Sequence, residues 1–104
     1  MATTFRITFY PSPQYKDDLI GALKEAQKTF EQPVLGFNVE TKLNLDGKDI
    51  TIDIIYPISI SEKIFKYVAM RQLKSKVKKI DKNCKVEYKK IKDDIDNKKK
   101  EEAK

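Results

Sequence analysis

Residues 81–90 read DKNCKVEYKK, and they carry the choice between two architectures. Read with a period of two, Cys84, Val86 and Tyr88 share one face of a strand, and Asp81-Lys82-Asn83 is the turn before it. Read with a helical period, Cys84, Tyr88, Ile91 and Ile95 extend the apolar stripe of the preceding helix, giving a single helix of some 40 residues and roughly 60 Å. The sequel, KKIKDDIDNKKKEEAK, is built of helix formers with isoleucine as its one strand former, which favours the helix and leaves the strand open.

Upstream the periods are clearer. In TTFRITFY, Phe5, Ile7 and Phe9 alternate with Arg6, Thr8 and Tyr10, the pattern of a half-buried strand. Ser12-Pro13 then predicts an N-cap and first turn, with Asp17 and Asp18 at the positive end of the helix dipole. Tyr15, Leu19, Ala22, Leu23, Ala26 and Phe30 make the helix's apolar stripe, and Gln32-Pro33 ends it. From Phe37 the period returns to two, with Val39, Thr41, Leu43 and Leu45 on the same face and Asn38, Glu40, Lys42 and Asn44 opposite. Asp46-Gly47 predicts a tight hairpin turn with positive φ. The partner strand places Ile50, Ile52, Ile54 and Tyr56 inward and Thr51, Asp53 and Ile55 outward, and Pro57 closes it.

Ser59 with Glu62 three residues on reads as a capping box, so a second helix is expected from there. Its stripe is Phe65, Ala69, Leu73, Val77 and Ile80, widened by Ile64 and Val68. The fold expected is therefore α+β: βαββα, a three-stranded antiparallel sheet with two helices packed on one face. If residues 84–91 are a strand, it is completed to a ferredoxin-like βαββαβ. Residues 1–88 form the single domain, and 89–104 a basic, charged and solvated C-terminal extension.

A chain of 104 residues is about one domain, small enough that a partner or a dimer would help it. With one cysteine, Cys84, and no histidine, neither an internal disulfide nor an ordinary zinc site is available, and a reducing compartment is expected. MATTFRITFYPSP holds no apolar run suited to a signal peptide or membrane span, so the expected location is cytoplasmic, with no membrane partner. Asp46, Asp49 and Asp53 near the hairpin, and Asp93, Asp94 and Asp96 further on, read as turn and surface charge rather than metal ligands. Cys84 reads as an inert thiol. Without a phosphate-binding glycine loop or a nucleophile motif, the chain is expected not to be an enzyme and to carry no cofactor. Gly36 and Gly47 belong in turns. Gly21, inside a helix, suggests close approach of a partner element.

Charge is unevenly placed. Residues 1–62 hold 6 basic and 9 acidic side chains, and residues 63–104 hold 16 and 7, so the balance moves from −3 to +9. On an ideal helical wheel Lys63, Arg71, Lys74, Lys78 and Lys82 share an arc of about 100° with Tyr67, opposite the apolar stripe. Such a face could track phosphates while Tyr67 stacks on a base, although lysines also suit any solvated helix back. The outer sheet face lacks the paired aromatics of an RNA-recognition sheet, and its Tyr10 and Ile55 suggest a partner interface instead.

FRITFYPSP, NLDGKDITIDI and SEKIFKYVAMRQLKSKVKKID, taken together over residues 4–81, resemble the small dimerisation subunit of the KEOPS complex, which makes threonylcarbamoyladenosine on transfer RNA. Phe65-Lys66 stands where that family has a leucine-arginine pair, the mark of a divergent paralogue. The resemblance implies a non-catalytic adaptor in an RNA-processing assembly. Its helices would dock on the catalytic transferase subunit, its sheet would pair with a second copy or a paralogous small subunit, and its lysines would help hold transfer RNA. The alternative is a small nucleic-acid-binding protein that uses the basic helix and tail directly.

Overall fold

Phe5, Ile7 and Phe9 have no solvent exposure, and the rest of the chain is arranged to achieve that. The computed structural model describes residues 2–31, 38–47 and 49–93. Strand β1 (Thr3–Tyr10) is central. It pairs antiparallel on one side with β3 (Ile50–Tyr56) and on the other with β4 (Lys85–Asp93), while β2 (Glu40–Asn44) pairs with β3 at the far edge. Among the described residues the sheet order is β2-β3-β1-β4. Helix α1 (Lys16–Phe30) follows a 3-10 turn, Pro13–Tyr15. Helix α2 has three consecutive parts: an α turn Glu62–Phe65, a π-helical turn Lys66–Met70, and an α segment Arg71–Ile80.

Both helices lie on the inner sheet face. Leu19, Leu23 and Ala26 from α1 and Phe65, Ala69, Met70, Leu73 and Val77 from α2 are buried with Ile50, Ile52, Ile54 and Cys84. At one end of this core Phe65 stacks on Phe5 with ring centroids 3.9 Å apart, and Tyr56 and Tyr88 pack around the pair. Burial pushes the Tyr56 phenol up to about 12.

The helix favoured from Cys84 onward is corrected by β4 over residues 85–93. Asp81 leaves the helix with extended backbone (φ −138°, ψ 101°) and turns the chain back, its Oδ1 accepting the Asn83 N–H at 3.1 Å. Its Oδ2 accepts the Ser12 N–H at 2.7 Å, tying the end of α2 to the start of the β1–α1 connection. Returned beside β1, the segment finds a full ladder from Tyr10↔Lys85 to Thr3↔Asp93, which outweighs lysine's modest helix preference. The strand runs beyond residue 88, where the body was expected to end. The register shifts between Thr4↔Lys92 and Phe5↔Lys90, making Ile91 the extra residue of a β-bulge rather than part of a helical stripe.

Three smaller expectations also change. The second helix is capped by Ser61, not Ser59, with the Ser61 hydroxyl accepting the Ile64 N–H. Residues 58–60 are held against β1 because buried Thr3 donates its hydroxyl to the Ile58 carbonyl at 3.0 Å and accepts the Ile60 N–H at 3.1 Å. Ser12 stands at the N-cap and Pro13 opens the first turn as expected, but that turn is 3-10 and Ser12 makes no side-chain cap bond. The β2–β3 connection is wider than a two-residue turn: Asn44 Oδ1 accepts the Asp46 N–H, and Gly47 does not occupy the left-handed region. Gln32-Pro33, Gly36, Phe37, Asp94, Ile95, Asp96 and the remaining tail lie outside the described residues.

Candidate functional site

The π turn decides which side chains of α2 share a face. The Arg71 N–H reaches back five residues to the Lys66 carbonyl, so one extra residue is accommodated and everything after it rotates by about 100° relative to an ideal helix. In a straight helix Phe65, Ala69, Leu73 and Val77 would drift about 120° around the axis over three steps of four. With the extra residue they stay in one buried line, joined by Met70. Ile64 and Val68, expected to widen that line, are instead 50% and 45% exposed.

The same rotation redistributes the cations. After the π turn, the positions in line with Tyr67 are Ser75 and Lys79, one later than the Lys74 and Lys78 of the ideal wheel. Tyr67 is 72% exposed, with the Arg71 guanidinium over its ring at 5.9 Å. They open onto a shallow groove of about 560 Å³, also lined by Gln72, Ser75, Lys76 and Lys79. None of these last four belongs to the face drawn on an ideal wheel. The signal that points to them is the unbroken four-residue repeat of the apolar stripe, which a straight helix would spread over about 120°.

Of the expected basic face, Lys63, Arg71, Lys74 and Lys82 are exposed. Lys78 is exposed as well, but its Nζ is engaged within the chain: it donates to the Cys84 carbonyl at 2.7 Å and the Lys82 carbonyl at 3.2 Å, closing the turn between α2 and β4. Lys66 lies on the other flank, over the Tyr88 ring at 5.8 Å. Helix α2 holds seven cations between residues 63 and 80 and a single carboxylate, Glu62 in its first turn, so most of its charge is not neutralised within the helix. Asp81, just beyond, is buried, and the Ser12 N–H holds its carboxyl below the usual carboxylate range.

The residues expected at a partner interface are not brought together. Tyr10 and Ile55 are both on the outer sheet face, but Tyr10 pairs with Lys85 at one end of β1 and Ile55 with Thr4 at the other, about 20 Å along the strand. Gly21 is on α1, exposed, with no neighbour within 4 Å of where a Cβ would stand. Between those corners the outer face is charged, crossed by the row Lys42, Asp53, Arg6 and Lys89. Arg6 grips Asp53 through two hydrogen bonds of 2.8 and 3.0 Å, which raise its pKa further.

Burial, with the nearby charge of Asp81, raises the Cys84 thiol pKa, so it stays protonated near neutrality. No group of three or more histidine, cysteine, aspartate or glutamate side chains among the described residues could hold a metal ion. No helix among the described residues is long and apolar enough to cross a membrane.

No family model matches the chain, and no curated protein matches it. Two solved structures, both of designed proteins, share its topology. One, a de novo designed protein with a ferredoxin fold, is 12% identical with a TM-score of 0.55, covering 90% of this chain and 88% of its own. The fold is ferredoxin-like. The other, the de novo designed protein Foldit4, is 14% identical with a TM-score of 0.54, covering 89% of this chain and 99% of its own. At such identities the likeness concerns the fold alone.

Proposed function

We propose that the chain is a non-catalytic, cytoplasmic adaptor of an RNA-processing assembly that presents the outer face of α2 to RNA. The observation that carries this reading is the exposed Tyr67–Arg71 pair on a helix with seven cations and a single carboxylate, Glu62. A cationic surface with an aromatic ring and polar side chains suits a phosphate backbone with accessible bases better than a purely acidic partner. The order of strands and helices supports a role like that of the small KEOPS subunit, and the exposure of Ile64 and Val68 favours a protein partner beside the RNA.

Fluorescence anisotropy with a labelled RNA oligomer, over a series of salt concentrations, tests the RNA contact. Four phosphate contacts from Lys63, Arg71, Lys76 and Lys79 predict a slope of log K against log salt of about −3 for a single strand. No binding at low salt, or an affinity indifferent to salt, would overturn it. Light scattering after size exclusion tests the adaptor role: a chain that remains monomeric and assembles with no partner from its host contradicts it.

A further inference from the structure

Phe30 and Phe65, the other aromatic residues of α1 and α2, pack in or against the core, whereas Tyr67 is 72% exposed. The Arg71 guanidinium over the ring restrains it, and a restrained exposed ring is a ready surface for stacking. Gln72 and Ser75 line the same groove with an amide and a hydroxyl, groups able to bond the edge of a base or a ribose hydroxyl. Lys76 and Lys79 line the same groove about two and three turns beyond Tyr67. A base paired within a duplex is stacked on both sides and offers no free face. An unpaired base does.

We propose that the Tyr67 groove is a subsite for one unpaired base of single-stranded RNA. Arg71 backs the stacking ring, Gln72 and Ser75 contact the base or its ribose, and Lys76 and Lys79 hold the adjacent phosphates. This rests on the reading of α2 as an RNA-contacting face and adds the strandedness of the RNA. Alanine in place of a stacking aromatic weakens binding by roughly five- to a hundredfold per base in such sites, whatever the base.

The test uses the full chain, a labelled uridine 12-mer and an RNA duplex of the same length. Tyr67→Ala is expected to weaken the 12-mer at least about fivefold, to change the duplex less than about twofold and to leave the salt slope unaltered, since no charge is removed. Tyr67→Phe keeps the ring and is expected to retain the affinity. The double variant Lys76→Glu, Lys79→Glu is expected to weaken both ligands and to flatten the slope. If Tyr67→Ala binds the 12-mer like the parent while the lysine variant fails, the base subsite is refuted and the RNA-contact reading stands. If neither RNA binds the parent, or an acidic peptide binds in their place, both are refuted. Because Tyr67 is exposed, an unchanged melting temperature for Tyr67→Ala separates lost stacking from lost folding.

Discussion

Phe65 and Tyr88 lie twenty-three positions apart in the chain and have ring centroids 5.6 Å apart across the end of the core. In a continuous helix through residue 95 they would stand about 35 Å from one another. A double-mutant cycle therefore discriminates the strand from the helix by energy alone. Phe65→Leu removes the stack on Phe5 and the tilted contact with Tyr88, at a cost of about 1 to 2 kcal/mol. Tyr88→Leu, at a half-buried position, costs about 1 kcal/mol. Each single variant already loses the ring pair, so the double variant should lose less than the sum, by about 0.5 to 1 kcal/mol. Urea denaturation resolves this: with m near 1 kcal/mol/M for so small a domain, the coupling appears as a midpoint difference of about 0.5 to 1 M. Additivity to within about 0.3 kcal/mol would refute the placement of β4 over α2.

Three further outcomes follow from particular contacts. The folded-state pKa of Asp81 is lowered, chiefly by the Ser12 N–H, so its stabilisation is present above the ordinary carboxylate pKa of about 3.9 and is lost as pH falls through the lower folded value. Thermal melts from pH 6 down to 2 should thus show a shallower acid-side loss in Asp81→Asn than in the parent. Lys78→Met should lower stability by about 1 kcal/mol through the lost bonds to the Cys84 and Lys82 carbonyls, while RNA affinity measured well below the melting temperature changes little. Gly21→Ala meets open space in mid-helix and should raise the stability of the isolated chain by about 0.5 to 1 kcal/mol in a urea melt.

Strands β1 and β3 and the stripe of α1 were legible because their burial alternates as the side chains do: Phe5, Ile7 and Phe9 against Arg6 and Tyr10, and Leu19, Leu23 and Ala26 at helical spacing. Strand β4 was obscured by its composition. Among the described residues it is an edge strand, and lysines such as Lys85 and Lys89, which make KVEYKKIKD read as helix, also suit an edge, where charge discourages pairing with other chains. The start of α2 was misplaced by two residues because Ser59 satisfies the local cap pattern. What excludes it is long-range: Thr3, far away in the chain, holds Ile58 and Ile60 in place. The candidate face on α2 was drawn with the phase of an ideal helix, which the structure does not keep. The π turn at Lys66–Met70 exchanges Lys74 and Lys78 for Ser75 and Lys79 beside Tyr67, and the bonds that occupy Lys78 depend on where β4 begins.

Backbone amide chemical shifts of the labelled chain, followed during titration with a single-stranded RNA oligomer, test the α2 contact most directly. Shifts concentrated at Lys63, Tyr67, Arg71, Ser75, Lys76 and Lys79, with Arg6, Thr8 and Lys42 on the outer sheet face unmoved, are the predicted result. Shifts confined to the sheet face, or none at saturating RNA, would contradict it.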